Sequence, residues 1–258
     1  MDKDEAILEE VARTAADRGG RMVVITIATQ MPAEVAEEYK AVFGALGVRE
    51  VEVLDIRTRE AAFDPENIGK VEQAGVLFFT GGDQLRITSQ FGGTPLCAKM
   101  QACYDAGSTI AGTSAGAAAM PETMLVAGPG NETTAFSALG MAPGLGLLPG
   151  FVVDTHFAER GRIGRLVTAI AQNPRNLGLG IDENTAAIIE GDTCLRVIGA
   201  GAVYVVDGST ITWSSLAEGE PADEEQVGDF VGVRNVTLHM LAAGERYDWK
   251  EHPAAIRH

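Results

Sequence analysis

The sequence predicts an α/β protein with a mostly parallel central sheet flanked by helices and an antiparallel extension in its C-terminal part. Short, continuous apolar runs alternate with helical segments through about residue 120, a pattern typical of parallel strands buried on both faces. Beyond about residue 180, strand-like segments follow one another with short Gly and Asp turns, which favours antiparallel pairing. Because no clear linker, repeat or low-complexity block interrupts the chain, we expect a single domain over residues 1–258.

The first half of the chain contains four predicted strands and five predicted helices. The apolar runs that predict the strands span 21–29, 51–56, 75–82 and 108–114. Apolar residues at helical spacing predict helices at 5–18, 33–46, 59–73 (broken near 64–65), 84–91 and 94–105. This order of elements is typical of right-handed βαβ units in a parallel sheet.

The second half of the chain has a different pattern. A strand is predicted at 151–157, a helix at 159–172 and a further strand at 177–182. Four strand-like segments follow, with the sequences TAAIIE, CLRVIG, AVYVVDG and STITWSS. These segments form the predicted antiparallel extension, and the acidic stretch 217–229 is expected to be a solvated loop.

Charge and composition exclude several classes of partner. The chain has 36 Asp and Glu against 20 Lys and Arg, and a net charge of −16 argues against binding to nucleic acid or an anionic membrane. We expect neither a signal peptide nor a membrane span. Three cysteines are too few for a disulfide framework, so a reducing, cytoplasmic location is expected. Since metal-ligand and nucleotide motifs are missing, we expect no metal and no other cofactor.

The strongest local signal is Gly112-Thr113-Ser114-Ala115-Gly116, which lies between a predicted strand and a predicted helix. In this G-x-S-x-G spacing the serine occupies a sharp, strained turn, and the two glycines let the strand and helix pass without a clash. Ser114 is therefore the candidate nucleophile, and the N–H of Ala115 is a candidate donor to an oxyanion. The alternative is an ordinary strand-to-helix turn that needs small residues.

A serine nucleophile needs a base, and the chain has only four histidines. His252 and His258 lie in a charged tail, and His239 lies in or beside a strand. His156 ends a predicted strand, at the edge where α/β sheets bind ligands. We therefore expect His156 to be the base.

The carboxylate that would orient this base is left open by the residues alone. The candidates are Glu122, Glu132, Asp154 and Glu183. Asp154 lies two residues from His156 and shares its strand face, which makes it an awkward partner for the ring nitrogen.

Two further groups are expected to face the same edge. Gly81 and Gly82 close the third strand and bring a backbone N–H close to the substrate as the second oxyanion donor, while Gln84 offers a polar side chain. The alternative there is a simple turn.

The dense basic cluster of this acidic chain comprises Arg160, Arg162 and Arg165. These arginines either recognise an acidic substrate or form structural ion pairs with nearby Asp and Glu.

Several of these motifs occur together in one known family. The segments are TGGDQLR at 80–86, GTSAGA at 112–117, DTHF at 154–157 with ERGRIGRL at 159–166, and GIDENTA at 180–186. In this order they resemble the serine peptidase family that contains cyanophycinases and the aspartyl dipeptidase called peptidase E. The resemblance implies a fold related to class I glutamine amidotransferases, with serine in place of the amidotransferase cysteine. It also suggests a homodimer.

The resemblance implies roles for individual residues. Ser114 matches the nucleophile and His156 the base, and the family's acid lies between them in the chain, where Glu132 is the best-placed match. The positions that match substrate-binding residues of the family are Gln84, Asp154, Arg160, Arg162 and Arg165. Thr155 and Glu183 are expected in the same substrate wall.

The resemblance also implies a reaction, the release of β-Asp-Arg dipeptides from cyanophycin. This polymer is a poly-aspartate with an arginine joined to each β-carboxyl, so the arginine cluster would hold its carboxylates and acidic residues its guanidinium groups. One departure is Thr155, where glutamine is expected in cyanophycin-degrading members. Short aspartyl or isoaspartyl peptides are therefore the alternative substrate. A non-enzymatic protein that binds acidic ligands through its arginines is the third hypothesis.

Overall fold

The computed structural model describes residues 5–126, 139–191, 193–216 and 231–250. The chain forms two compact units, Met1–Met120 and Pro121–His258. The single domain expected over 1–258 stays a prediction. Within the described ranges, none of the helices is long and apolar enough to cross a membrane.

The first unit is built on a four-stranded parallel sheet. Its strands are β1 (Arg21–Ile25), β2 (Glu50–Leu54), β3 (Val76–Phe79) and β4 (Thr109–Gly112), in the order β2-β1-β3-β4. Its helices are α1 (Glu5–Asp17), α2 (Pro32–Ala45), α3 (Pro65–Val71), α4 (Gln84–Phe91), α5 (Pro95–Asp105) and the short α6 (Ala115–Ala118), with a 3₁₀ turn at Glu60–Phe63. The parallel sheet with its helices confirms the fold class predicted from the apolar runs.

Helices cover both faces of this sheet because successive strand residues point to opposite sides. Met22 and Phe78 pack on one side with Phe43 of α2, in a cluster that also includes residues of α1. On the other side, Phe79 of β3 packs edge-to-face on Phe91 of α4, with ring centroids 5.7 Å apart. Strands buried on both faces need continuous apolar runs, which is why the sequence pattern predicted them.

Local signals set the starts of the helices in the first unit. Proline occupies the first turn of α2, α3 and α5, where its missing N–H costs nothing. The side chains of Asp64, Asp83 and Thr94 accept hydrogen bonds from backbone N–H groups at the starts of α3, α4 and α5. Asp83, which follows Gly81 and Gly82, is this cap for α4, and Gln84 is the first residue of the helix.

The second unit contains the antiparallel extension. Its elements are β5 (Thr123–Val126), β6 (Gly140–Pro143), β7 (Phe151–Thr155), α7 (Ile163–Gln172), β8 (Leu177–Ile181), β9 (Thr185–Glu190), β10 (Cys194–Gly199), β11 (Ala202–Asp207), β12 (Trp213–Ser214), β13 (Val233–Arg234), β14 (Thr237–Ala242) and β15 (Arg246–Asp248). One sheet has the order β14-β11-β8-β7, in which only β7 and β8 run parallel, and a second has the order β15-β10-β9. The strands β5, β6, β13 and β15 are not predicted from the sequence.

The parallel pair β7 and β8 positions the second group of candidate site residues. Thr155 is the register partner of Ile181, so the residues that follow these two lie side by side at the carboxyl edge. Helix α7 packs on the sheet through Leu166 and Ile170, which are fully buried in a cluster with residues of β7 and β11.

Candidate active site

Ser114 lies in a strained turn between β4 and α6. Its backbone has φ 50° and ψ −113°, a left-handed conformation that non-glycine residues rarely adopt. Such strain persists only where the surrounding structure over-determines it, and it is concentrated at functional sites. The next residue, Ala115, begins α6, so its N–H directly follows the serine in the chain.

The two glycines of the G-x-S-x-G sequence are required by backbone contacts. A Cβ at Gly112 would lie 2.6 Å from the carbonyl carbon of Gly116. A Cβ at Gly116 would lie 2.5 Å from the carbonyl oxygen of Phe79 in β3. No side chain fits at either distance. The strand and the helix can therefore pass this closely only with glycine at both positions, as the G-x-S-x-G pattern predicts.

Gly81 and Gly82 form a second close approach in the first unit. A Cβ at Gly81 would be 3.4 Å from the Cβ of Ser114 and 4.0 Å from its Oγ, so this backbone lies next to the serine. Gly82 has φ 142°, and a Cβ there would lie 2.2 Å from the carbonyl oxygen of Ala28. That carbonyl also accepts a hydrogen bond from the N–H of Asp83 at 3.1 Å. The loop is therefore held against the segment that follows β1.

Two arginines fix the segment on which this loop rests. The guanidinium of Arg57 donates to the carbonyl of Thr29 at 2.7 Å and to that of Thr26 at 3.3 Å. Arg86 donates to the same Thr29 carbonyl at 3.2 Å. Sequence reasoning did not identify Arg57, because its partners are backbone carbonyls about 30 positions away that leave no trace in the sequence.

His156 lies at the carboxyl end of β7 and contacts a carboxylate from the end of β8. Its Nδ1 is 2.9 Å from Oε1 of Glu183, and the two side chains are 28% and 49% exposed. A carboxylate accepts and cannot donate, so this hydrogen bond requires the proton on Nδ1 and leaves Nε2 as the basic nitrogen. This is the arrangement by which a general base is oriented in hydrolases with a catalytic triad.

The four candidate carboxylates have different surroundings. Glu132 lies outside the described residues, so its role stays a prediction. Glu122 is exposed. Asp154 is buried and bound by arginines, whereas Glu183 contacts the His156 ring. Among the carboxylates that the structure describes, Glu183 is the one with a hydrogen bond to Nδ1.

Arg162 and Arg165 both bind the buried carboxylate of Asp154. Arg165 donates through Nε to Oδ2 at 2.6 Å and through a terminal nitrogen to Oδ1 at 2.5 Å, in the bidentate geometry typical of arginine. Arg162 donates to Oδ1 at 3.1 Å and to the backbone carbonyl of Thr155 at 2.5 Å. These contacts match the ion-pair alternative for both arginines, and their predicted contact with substrate stays a prediction.

The charges of the arginine cluster act on one another. Burial lowers the pKa of Arg162, Asp154 opposes that shift, and the neighbouring charges of Arg165 and Arg160 add to it. Arg160 is exposed, and its backbone N–H donates to the carbonyl of His156. Two guanidinium groups thus bind the buried Asp154 carboxylate, and the charge of Arg160 lies close enough to act on Arg162.

The described ranges 5–126, 139–191, 193–216 and 231–250 contain no set of side chains placed to bind a metal ion. No group of three or more His, Cys, Asp or Glu in them could hold a metal ion. All three cysteines are free thiols.

Comparison with known proteins identifies the family. The family model described as Peptidase family S51 matches residues 1–197. A cyanophycinase from Geminocystis herdmanii is 35% identical over 247 residues, which cover 95% of this chain and 89% of the relative. A cyanophycinase from Trichormus variabilis is 38% identical over 252 residues, covering 95% and 82%. The chain belongs to peptidase family S51.

Two solved structures are similar in fold to this family S51 chain. One is a peptidase from an acI-B1 Actinobacterium, with a TM-score of 0.68, 20% identity, and coverage of 95% of this chain and 90% of the other. The second is a putative peptidase E protein from Listeria monocytogenes EGD-e, with a TM-score of 0.54, 19% identity, and coverage of 77% and 95%. The family match and the named relatives identify the chain as a serine-type peptidase.

The glycine contacts of this peptidase predict the effect of adding one methyl group. Gly116→Ala directs a Cβ into the Phe79 carbonyl, so we expect the free energy of unfolding to fall by about 1–3 kcal/mol. Gly44→Ala in α2 is the matched control, because no atom lies within 4 Å of its added Cβ. Its free energy of unfolding should rise by up to about 1 kcal/mol. Urea unfolding measures both, and equal effects would contradict the steric explanation.

The buried ion pairs predict a large cost for removing their shared carboxylate. Asp154→Asn leaves the guanidinium groups of Arg162 and Arg165 buried without an opposing charge, so the free energy of unfolding should fall by about 3–5 kcal/mol. Asp105→Asn is the control, because Asp105 is exposed, and it should change stability by less than about 0.5 kcal/mol. A loss at position 154 no larger than that of the control would show that the pairs carry no net stability.

Proposed function

We propose that this family S51 peptidase is a serine exopeptidase that hydrolyses cyanophycin, a multi-arginyl-poly-aspartate, to β-Asp-Arg dipeptides. The relatives named cyanophycinase support the substrate, since they are 35% and 38% identical over 95% of this chain. The observation that carries the chemistry is the 2.9 Å hydrogen bond between Nδ1 of His156 and Glu183. A cytoplasmic location and a homodimer remain parts of the proposal.

In the proposed mechanism Ser114 attacks the backbone carbonyl of the substrate. His156 accepts the serine proton on Nε2 and returns it to the leaving amine, and a water molecule then releases the acyl group by the same route. The N–H of Ala115 and that of Gly81 or Gly82 donate to the oxyanion. Support comes from the strained backbone of Ser114 and from the close approach of Gly81 to it.

Glu183 is the acid in this proposal. Its support is the contact with His156, whereas Glu132 is supported by its position in the chain and lies outside the described residues. The carboxylate keeps the proton on Nδ1 and stabilises the imidazolium that forms when Nε2 takes a second proton.

The basic cluster and the residues near it form the proposed substrate wall. Arg160 is its exposed member, which suits contact with a substrate carboxylate, while Arg162 and Arg165 add positive charge from buried positions. Asp154 supports the wall by holding these two arginines. Gln84 and Thr155 complete the proposed wall.

Substitution of the proposed catalytic residues tests the chemistry. Ser114→Ala and His156→Ala should each lower kcat by about 10³-fold or more, because neither residue works without the other. Glu183→Gln keeps the side-chain shape but removes the charge, and kcat should fall by about 10²- to 10⁴-fold. Steady-state rates measure each variant.

Glu132→Gln is the matched comparison for the acid. We expect it to retain activity within a few-fold of the unsubstituted chain. The reverse order, with position 132 sensitive and position 183 tolerant, would assign the acid to Glu132 instead. Unchanged activity of Ser114→Ala would overturn the serine mechanism.

The substrate is tested by its products. Purified cyanophycin should yield β-Asp-Arg dipeptides, identified by mass spectrometry, at a higher kcat/KM than short aspartyl or isoaspartyl peptides. Thr155 is the observation that favours the alternative, because a short hydroxyl stands where cyanophycin-degrading members are expected to carry glutamine. Faster cleavage of the short peptides, with intact polymer remaining, would establish that alternative.

A further inference from the structure

Asp182 connects the segment that carries His156 to the sheet. Its Oδ1 accepts a hydrogen bond from the N–H of Ala158 at 2.9 Å, and its Oδ2 accepts one from the N–H of Ala202 at 3.1 Å. The N–H of Asp182 in turn donates to the carbonyl of Ala202 at 3.2 Å. Each oxygen of the carboxylate therefore accepts from one backbone donor, one in the loop after β7 and one at the start of β11.

A second carboxylate makes the reverse connection. Oε1 of Glu159 accepts a hydrogen bond from the N–H of Glu183 at 3.1 Å. The pair Ala158-Glu159 and the pair Asp182-Glu183 thus exchange two hydrogen bonds, each between a carboxylate and a backbone N–H. We call these four residues the carboxylate bracket. It joins the chain segment of the proposed base to that of its acid.

The bracket holds a residue that is strained. His156 has φ 51°, and a non-glycine residue keeps this conformation only where its neighbours impose it. Phe157 is one such neighbour, because it is buried, donates its N–H to the carbonyl of Ile181, and lies where a Cβ at Gly180 would be 2.6 Å from its ring. Asp182 fixes the chain on the far side of Phe157, at Ala158.

We propose that Asp182 is a positioning residue that keeps Nδ1 of His156 on Glu183, with Glu159 closing the bracket. The proposal rests on the proposed function, in which His156 is the base. Without the Asp182 carboxylate the loop after β7 loses one of its three backbone hydrogen bonds to the end of β8. The imidazole then exchanges between its two tautomers, and the fraction with a basic Nε2 falls.

The test compares Asp182→Ala with Asp207→Ala. Asp207 is a matched control, because its carboxylate also accepts a backbone N–H, from Ser209 at 2.8 Å. It pairs with Leu177 at the opposite end of β8, so its loss changes stability without reaching His156. Asp182→Asn is the second variant, because it keeps the side-chain volume and can accept from only one of the two N–H groups.

The first measurement is the tautomer of His156 by NMR of protein labelled with ¹⁵N-histidine, assigned with His156→Gln, at a pH where the ring is neutral. The unsubstituted chain and Asp207→Ala should show the Nδ1–H form. Asp182→Ala and Asp182→Asn should show averaged ring nitrogen shifts. In both Asp182 variants kcat should fall by about 10- to 100-fold, with KM changed much less.

Two results would overturn the proposal. One is that both Asp182 variants keep the Nδ1–H tautomer and the kcat of the unsubstituted chain. The other is an unchanged kcat in a variant whose tautomer is averaged, when His156→Gln itself is inactive. If His156→Gln retains activity, the assignment of the base fails instead, and the tautomer measurement still decides whether Asp182 positions the ring.

Discussion

Left-handed backbone at one candidate residue in each unit, Ser114 in the first and His156 in the second, sets the constraint on which the contacts around that residue depend. Each follows the carboxyl end of a parallel strand, and each conformation costs of order 1–3 kcal/mol unless neighbours impose it. Around Ser114 the neighbours are backbone, since Gly112 and Gly116 admit contacts that no side chain could fit. Around His156 they are the buried Phe157 and a set of carboxylate hydrogen bonds. The same strain is thus maintained by two different kinds of packing.

The arginine cluster shows how a buried charge constrains a site in an acidic protein. Removing one partner of a buried ion pair is costly, because the other charge stays behind without compensation. Asp154 is 1% exposed and binds Arg162 and Arg165, so these two guanidinium groups are held by a buried charge. Arg160, which is exposed, is the member of the cluster whose side chain has room to adapt to a ligand. The ion pairs with Asp154 and the proposed contact with substrate are therefore assigned to different arginines of one short segment.

Sequence reasoning predicted the parallel sheet and the serine turn because both depend on local patterns, apolar runs in one case and glycine spacing in the other. The residues alone left the carboxylate for His156 open and the resemblance favoured Glu132, because the contact between His156 and Glu183 depends on the register of β7 and β8. Glu183 is 27 residues from His156, and the pairing of Thr155 with Ile181 brings their segments together. Sequence reasoning also left open the role of the arginines, since the Asp154 pairs span 8 and 11 positions. Strands β5, β6, β13 and β15 are short, and nothing in their sequences marks them as clearly as a buried run.

The exposure of the His156–Glu183 pair explains why the segments around it are so heavily tethered. Hydrogen-bonded pairs with side chains 28% and 49% exposed contribute little, of order 0–1 kcal/mol, because water competes for both groups. The free energy of such a contact is too small to offset by itself the cost of the left-handed backbone at His156. The orientation must come from the backbone, and the available tethers are the N–H groups of Phe157, Ala158 and Glu183. The proposed base is in this way oriented by backbone hydrogen bonds of its own segment and by the buried Phe157, while its ring stays partly exposed.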